Sequence, residues 1–312
     1  VMAITRHLEE MYGASFDIQV SKVGERLLVA FRLEVADPGY LPDGRDLVER
    51  GLDFLHEMIY EPALTEKKLL RTDYVRQERE NLIRQVEGLK NNRSRYAVER
   101  CLQHMCEAEP FGRFEYGTPE DLSPIRPLGL STHWRHMLET APLDVYVVGR
   151  VGTVTVERIV RERFGDQPRH AEPLPRARIE PAPARPRRVE ERLPVRQARI
   201  VMGYRIATPF ESRAYPAVAV MNAVLGGTQS SKLFRTVRER ESLVYSIHSS
   251  VEKEKGILLI TAGTDLKKVK KVESLVRAEI DGLRRGDVSA DEIRLAKNYL
   301  ENELRGVQDS PG

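Results

Sequence analysis

The 312 residues exceed what one hydrophobic core usually organises, so the length predicts two domains of roughly 150 residues each. Hydrophobic residues make up 41% of the chain and charged residues 31%, as in an ordinary soluble protein. The formal net charge of +3 at pH 7 comes from a proline-rich stretch between Asp166 and Gln197, where arginines outnumber acidic residues and aromatic residues are absent. A nucleic-acid-binding face combines clustered basic residues with rings that stack on bases, so we expect no nucleic-acid partner.

The cysteines and the apolar runs indicate the compartment. Two cysteines are present, Cys101 and Cys106, which excludes a disulfide framework and favours a reducing environment. No apolar run approaches the roughly 20 residues that span a bilayer, and the N-terminus turns charged before a signal-peptide core could form. We therefore expect a cytoplasmic protein with no membrane contact.

The first half of the chain predicts a hairpin followed by helices. Two strands are expected on either side of Gly24, and the second has Leu27 and every second residue up to Val35 on one face. A helix is predicted in LVERGLDFLHEMIYEP, with Pro62 as its stop. A long helical region is expected from about Thr65 to Cys106, interrupted near GLKNNRS. The segment LDVYVVGRV is predicted to be a short buried strand, and VTVERIVRERF a helix after it.

Residues 166–197 hold so many prolines that an extended spacer is expected there, not a helix or a central strand. Beyond the spacer, ARIVMGYRI is predicted to be a strand and SRAYPAVAVMNAVLGG a helix that ends on glycines. The segments LVYSIHSSV and GILLITAGT are predicted to pair as strands around the charged turn EKEK. Two helices follow, one in KKVKKVESLVRAEIDGLRRG and one that opens at Ser289.

Both halves thus alternate helices with largely antiparallel strands. This alternation predicts an α+β fold with two related α/β sandwich domains, each with a mostly antiparallel sheet and helices on one side. The predicted boundaries are an N-terminal domain over residues 1–165 that lacks its first segment, a proline- and arginine-rich linker over 166–197, and a C-terminal domain over 198–312 that is truncated at its end.

Two short motifs combine histidine with glutamate, as zinc sites do, but neither is complete. His56 begins an HExxH pattern that has Tyr60 in place of the second imidazole, and His7 begins an HxxEH pattern that has Met11 there. A zinc site of this kind needs two imidazoles one helical turn apart, so both histidines are predicted to be surface or half-buried groups.

The cysteine pair and a glycine pair have structural interpretations. Cys101 and Cys106 are five residues apart and fall on different faces of a helix, which favours core packing over a nucleophile or ligand pair. Gly226 and Gly227 lack the rest of a phosphate-loop pattern and follow a helix instead of a strand, so a helix-ending turn is expected.

Arg238 and Tyr245 lie seven residues apart, on either side of the break between a charged helix and a strand. Taken alone, such an arginine is usually a solvated charge and such a tyrosine a packed ring. Their surroundings, VLGGTQSSKLFRTVRERESLVYSIHSS, resemble the C-terminal signature of the peptidase M16 family, which includes insulinase, pitrilysin and mitochondrial processing peptidase. In the first half, LEEMYGASFD, RFEYGTPEDLSPI and LDVYVVGRV resemble other passages of that family. The segment NNRSRYAVERCLQHMCEAEPF resembles its non-catalytic bacterial branch, the YmfF-like proteins.

The resemblance implies a fold of two M16-type domains and shows where the metal ligands of the family would stand. M16 enzymes hold zinc through HxxEH on one helix and a glutamate on another, and Gln85 stands at the position of that glutamate. The register of the resemblance places HxxEH before Val1. An amide has no charge to offset Zn²⁺, so Gln85 is a degenerate metal-ligand position, and we expect no catalytic residue, metal or other cofactor in this chain.

The resemblance also implies a role for Arg238 and Tyr245. Family members use an arginine and a tyrosine with this spacing to bind substrate, and a guanidinium and a phenolic O–H are suited to a backbone carbonyl. We expect a non-catalytic subunit that supplies this substrate-binding pair to a heterodimer. Its partner would be a zinc-bearing M16 homologue, and its substrate an unstructured peptide or small protein. The chain alone is not expected to hydrolyse peptides.

Two alternatives stay open. One is a non-proteolytic scaffold or binding protein in a protein-modification pathway linked to elongation factor P. The other is a standalone zinc peptidase whose metal motif lies upstream of this sequence. Loss of peptide turnover on changing Arg238 or Tyr245 in a complex would separate the first alternative from the heterodimer, and zinc analysis of a longer chain would test the second.

Overall fold

The computed structural model describes residues 2–44, 46–165, 170–206, 208 and 210–308. The strands are, in chain order, β1 (Ser15–Val23), β2 (Arg26–Glu34), β3 (Gln197–Arg205), β4 (Val244–Glu252) and β5 (Ile257–Asp265). The helices are α1 (Met2–Glu10), α2 (Val48–Tyr60), α3 (Thr72–Gly88), α4 (Arg93–Met105), α5 (Pro119–Leu122), α6 (Pro127–Thr140), α7 (Thr153–Phe164), α8 (Tyr215–Asn222), α9 (Val269–Arg284) and α10 (Ala290–Gln308). Two π-helical turns span Ala223–Gly227 and Phe234–Arg240. No helix in the described ranges combines the length and the hydropathy needed to cross a membrane.

The chain forms two compact units that are not contiguous in sequence. Unit 1 comprises Val1–Glu87 and Glu115–Pro175, and unit 2 comprises Gly88–Phe114 and Arg176–Gly312. Helix α4 therefore packs with elements from the second half of the chain. Within the proline-rich stretch, residues 166–169 lie outside the described ranges, and residues 170–196 contain neither helix nor strand.

Unit 1 is built on the predicted hairpin. Strands β1 and β2 are antiparallel, with Val20 opposite Val29 and Phe16 opposite Leu33. Phe16 and Leu33, which lie opposite each other on the two strands and so share one face, pack against the buried Phe54 of α2. At the opposite end of the hairpin, Leu27 is 59% exposed.

The helices of unit 1 pack against each other through their apolar faces. Helix α2 packs on α7 through Leu52, Ile159 and Phe164, all of which are buried. The predicted helical region begins later than expected, at Thr72. The residues before it form a turn, in which the Thr65 amide N–H donates to the Leu69 carbonyl over 2.8 Å.

The strand predicted in LDVYVVGRV is wrong. Residues 143–151 have no strand structure, and Tyr146 and Val148 are 86% and 81% exposed. A strand exists only where a neighbouring strand accepts and donates its backbone hydrogen bonds. Within the described part of unit 1, β1 and β2 pair with each other and with no other segment. An apolar run of residues indicates a propensity for β structure, but it does not show whether a neighbouring strand is present to pair with it.

Unit 2 contains a three-stranded antiparallel sheet in the order β3-β5-β4. Alternate residues of the central strand, Leu258, Ile260 and Ala262, face one core, which α9 covers with Val272 and Val276. Side chains of the two π-helical turns complete this core: Leu225, Leu233 next to the second turn, and Val237.

The other face of this sheet is covered by α4. Ile257 and Leu259 of β5 pack against Leu102 and Cys106, with Phe111 beside them. The expectation of helices on one side of each sheet is therefore wrong for unit 2. The covering helix comes from the first half of the sequence, and helical periodicity identifies an apolar stripe without identifying the sheet that it covers.

A buried ionic cluster fastens the turn between β4 and β5. Lys255, in the charged turn EKEK, is fully buried, and its ammonium lies 2.7 Å from Glu109 Oε2. Glu109 also pairs with Arg205 at the end of β3, and Lys255 donates to the Arg178 carbonyl. Burial raises the pKa of Glu109, but hydrogen bonds from Arg205 and Lys255 outweigh it, so the pKa lies below its ordinary value.

Candidate functional site

Arg238 and Tyr245 lie in unit 2, on the two sides of a tight helix-to-strand connection. Arg238 belongs to the π-helical turn Phe234–Arg240, and Tyr245 is the second residue of β4. Ser242 adopts a left-handed backbone with φ of 51°, which ends the helical turn. The Leu243 amide N–H then donates to the Val237 carbonyl over 3.1 Å, so the chain enters the sheet at once.

The helical turn that carries Arg238 is anchored from beneath. Val237 is fully buried in the core of unit 2, and the hydroxyl of Thr236 donates to Glu279 Oε1 of α9 over 2.7 Å. At the start of β4, the Thr264 hydroxyl donates to the Leu243 carbonyl over 2.5 Å. Both candidate side chains therefore project from backbone that the core holds in place.

The Arg238 guanidinium is exposed and stacks on an aromatic ring. Its central carbon lies 4.8 Å from the centroid of the Phe234 ring, one helical turn earlier. No hydrogen bond or ion pair reaches this guanidinium within the part of the chain that the structure describes. Since Arg carries five N–H donors and no acceptor, the stacked group is oriented but keeps its donors available for a ligand.

Tyr245 stands at an irregularity in the sheet. The pairing of β4 with β5 shifts register between Val244 and Ser246, which leaves Tyr245 as the bulged residue. A bulge redirects a side chain relative to the regular alternation, and the Tyr245 side chain is 54% exposed. Its hydroxyl donates to Asp265 Oδ1 over 2.6 Å, and this hydrogen bond raises the pKa of the phenol.

Asp265 is a site residue that the sequence analysis did not single out. It is the last residue of β5, and its Oδ2 lies 3.2 Å from the ammonium of Lys268. Hydrogen bonds from Tyr245 and then Lys268 hold the pKa of Asp265 below its ordinary value. The predicted hairpin of β4 and β5 could have identified Asp265. Antiparallel strands joined by a short turn place the end of the second strand, where Asp265 lies, beside the start of the first strand, where Tyr245 lies.

The candidate metal motifs do not form a metal site. The His7 ring packs against Phe54 with 5.2 Å between centroids, and the His56 ring packs against Tyr60 at 4.7 Å. Gln85 lies on an exposed part of α3. Within the described residues, no three histidine, cysteine or acidic side chains are grouped as metal ligands would be. Gln85 stands at the position of the family's zinc-binding glutamate, and its neutral amide does not fit that ligand role.

The cysteines and the glycine pair have the structural roles that were predicted. Cys101 and Cys106 both belong to the core between α4 and the sheet, and burial raises the pKa of the Cys106 thiol to about 11. Gly226 and Gly227 end the π-helical turn after α8. A Cβ at Gly226 would lie 2.9 Å from the Ser249 amide nitrogen, so only glycine lets this turn approach β4 so closely.

A cavity in unit 2 does not include the candidate residues. Its volume is about 650 Å³, and it lies where the residues before and at the start of α4 face Arg199 of β3. Its lining is Gly88, Asn91, Asn92, Arg93, Ser94 and Arg199. Arg238, stacked on Phe234, and Tyr245, hydrogen-bonded to Asp265, are thus both exposed surface groups, one an all-donor cation and the other a phenol tied to a carboxylate. Such a surface is suited to a polar, extended ligand more than to a small apolar one.

Comparisons with known proteins agree with the resemblance. The family model described as "Peptidase M16 inactive domain" matches residues 133–300. "Probable inactive metalloprotease YmfF" of Bacillus subtilis (strain 168) is 30% identical over 304 residues, which cover 97% of this chain and 71% of that protein. "Uncharacterized zinc protease YmxG" of the same strain is 32% identical over 111 residues, covering 35% of this chain and 27% of that protein.

A solved structure extends the agreement to the fold. A conserved protein from Enterococcus faecalis V583 is 26% identical and superposes with a TM-score of 0.90, covering 100% of this chain and 73% of that one. The sequence matches and the superposition together cover both halves of the chain. The chain therefore belongs to the peptidase M16 family, as an inactive homologue similar to YmfF.

Proposed function

We propose that this chain is the substrate-binding subunit of a heterodimer whose other subunit is a zinc-bearing M16 homologue. In this proposal the chain grips an unstructured peptide or small protein through Arg238 and Tyr245, and it supplies no metal and no catalytic residue. The observation that carries the proposal is the exposed Arg238 guanidinium, which stacks on Phe234 and keeps its donors available for a ligand. Tyr245, seven residues later in the chain, is an exposed phenol whose hydroxyl is hydrogen-bonded to Asp265. An oriented donor without a protein acceptor is what a binding site for backbone carbonyls requires.

The zinc-bearing partner is proposed on two grounds. Gln85 stands at the position of the family's zinc-binding glutamate, and a neutral amide is a poor ligand for Zn²⁺. The relatives include both a probable inactive metalloprotease and a zinc protease from one bacterial strain, so two such chains exist in one cell there. We place both subunits in a bacterial cytoplasm.

The domain arrangement is part of this proposal. Residues 1–165 and 198–312 would be two related M16-type domains, and residues 166–197 the linker between them. The absence of helix and strand from residues 170–196 supports the linker. Helices and an antiparallel pair of strands occur in residues 1–165, and helices and a three-stranded antiparallel sheet occur in residues 198–312 with β3 beginning at Gln197, which supports the relation of the domains.

The proposal is tested with the chain and a zinc-bearing M16 homologue from the same genome. Unstructured fluorogenic peptides are assayed with each protein alone and with both together. We expect hydrolysis by the pair and none by this chain. Arg238→Ala and Tyr245→Phe should each lower kcat/KM of the pair, since a hydrogen bond that involves a charged group contributes about 1.5–3 kcal/mol and a neutral one about 1 kcal/mol.

Arg240→Ala is the matched control. Arg240 is an exposed arginine two residues further along the same turn, where side chains point in another direction. It should leave kcat/KM unchanged. If the pair hydrolyses peptides and neither Arg238→Ala nor Tyr245→Phe has an effect, the substrate-binding role is wrong. Peptide binding that persists without any turnover would instead favour a non-proteolytic scaffold, such as one in the elongation factor P modification pathway.

A further inference from the structure

The role of Tyr245 depends on where its phenolic proton points. A phenol has one O–H donor and two acceptor lone pairs, whereas an ionised carboxylate only accepts. Asp265 Oδ1 lies 2.6 Å from the Tyr245 hydroxyl and Oδ2 lies 3.2 Å from Lys268. With an ammonium and a phenol both donating to it, Asp265 is held as the carboxylate. The proton between Tyr245 and Asp265 therefore belongs to Tyr245 and points at Asp265.

This arrangement removes the donor from the ligand side of Tyr245. The single O–H is engaged within the protein, and the half-exposed phenolic oxygen presents its lone pairs to solvent. Arg238, seven residues earlier in the chain, has the opposite character, because a guanidinium donates and never accepts. Arg238 thus offers a hydrogen-bond donor and Tyr245 an acceptor. From the residue types alone, both side chains would be expected to donate.

An extended peptide backbone matches this pair. Each residue other than proline has one C=O acceptor and one N–H donor, and an uncovered peptide presents both to a binding surface. We infer that Asp265 positions Tyr245 as a hydrogen-bond acceptor for a backbone N–H of the bound peptide, while Arg238 donates to a backbone C=O. This inference rests on the proposed peptide-binding function. It adds that Tyr245 recognises a backbone N–H and Arg238 a backbone C=O of the ligand. The site should therefore discriminate against a peptide whose contacted residue lacks an N–H, such as proline.

The test compares two series of backbone-modified peptides. The probe is a fluorescein-labelled unstructured peptide that binds the wild-type chain, measured by fluorescence anisotropy. In one series each backbone amide is replaced in turn by an ester, which removes the N–H. In the other, each carbonyl is replaced by a thioamide, which weakens the acceptor. One ester position should weaken binding about threefold to tenfold, the effect of one neutral hydrogen bond.

Three variants assign that position. Tyr245→Phe should abolish the penalty of the sensitive ester, because the accepting oxygen is gone. Asp265→Asn should reduce the penalty, because an amide can donate to the phenol and free its O–H to rotate. Asp281→Asn, which removes an exposed carboxylate paired with Arg284 on α9, is the matched control and should leave the penalty unchanged.

A spectroscopic measurement tests Asp265 without any peptide. The hydrogen bond to the carboxylate is the main cause of the raised pKa of Tyr245, so Asp265→Asn should move that pKa down towards the ordinary value near 10. The phenol is followed by NMR of ¹³C-labelled tyrosine, with Tyr245→Phe identifying its signal. A purely packing role for Asp265 would leave the pKa in place.

The outcomes separate the inference from the function on which it rests. A Tyr245-dependent penalty in the ester series supports the inference. Peptide binding in which Tyr245 couples to a thioamide position, or to no position, overturns the inference and leaves the proposed function standing. Peptide binding that depends on neither Arg238 nor Tyr245, or no binding of any peptide, overturns both.

Discussion

At the residue scale, the proposed peptide binding depends on whether the Arg238 and Tyr245 side chains are already ordered before the ligand binds. Arg238 is ordered by a ring and Tyr245 by a carboxylate, and neither arrangement is specified by the local sequence pattern alone. Ordering a long side chain before binding removes part of the entropy that binding would otherwise cost. The partners Phe234 and Asp265 therefore matter although they need not touch the ligand.

We predict that Phe234→Leu weakens peptide binding about twofold to fivefold. The variant keeps an apolar side chain but loses the ring beneath the guanidinium, and an exposed cation–π contact contributes about 0.5–1 kcal/mol. Fluorescence anisotropy with the labelled peptide measures the change. Because Phe234 is expected to act through Arg238, its effect should vanish in an Arg238→Ala background. Equal losses in the two backgrounds would mean that Phe234 acts in another way.

The cysteine thiols give a second prediction at this scale. With its pKa raised to about 11 by burial, Cys106 is about one part in a thousand thiolate at pH 8, and burial raises the pKa of Cys101 as well. We expect a disulfide reagent such as DTNB to label both thiols at least about 100-fold more slowly in the folded protein than in guanidinium. Rapid labelling of either thiol in the native chain would contradict the core assignment.

At the element scale, ionic contacts fix the turn between β4 and β5 against the end of β3. The turn sequence EKEK consists of charged residues, which are rarely buried, yet the structure buries Lys255 completely. Burial is possible because Glu109 compensates both Lys255 and Arg205, whereas an unpaired buried ammonium would be costly. No local pattern reveals such a cluster, since its three members come from segments far apart in the sequence.

We predict that Glu109→Gln lowers the local stability of β5 by about 3–5 kcal/mol at pH 7, because it removes the carboxylate that pairs with both Lys255 and Arg205 in a buried cluster. Opening free energies from hydrogen exchange of the β5 amides measure this loss. Glu107→Gln is the matched control: Glu107 pairs with Arg187 on the surface, where a salt bridge contributes about 0–1 kcal/mol.

The same variant has a predicted pH dependence. The pKa of Glu109 is lower in the folded chain than its ordinary value of 4.5, so its stabilising contribution is fully present above pH 4.5 and disappears as the pH falls through the folded pKa. The stability difference between wild type and Glu109→Gln should therefore shrink below pH 4.5. A difference that is unchanged at pH 3 would show that the carboxylate charge is not what stabilises the turn.

At the scale of the whole molecule, the sequence predicts elements better than their assembly. The hairpin around Gly24 and the strands on both sides of EKEK are confirmed, because alternation and turn residues are local signals. The strand predicted in LDVYVVGRV and the one-sided helix layer are wrong, because both depend on which distant segments meet. The local sequence places Tyr245 at the start of a strand, but the bulge that redirects it and its contact with Asp265 are tertiary features.

The division of labour between two chains is the central claim at this scale, and it is tested by a titration. Increasing amounts of this chain are added to a fixed amount of the zinc-bearing homologue while peptide turnover is followed. We predict that turnover rises and saturates at one chain per homologue, and that Arg238→Ala saturates at the same ratio with a lower rate. Turnover by this chain alone that a zinc chelator abolishes, or turnover by the homologue that does not respond to this chain, would contradict the account.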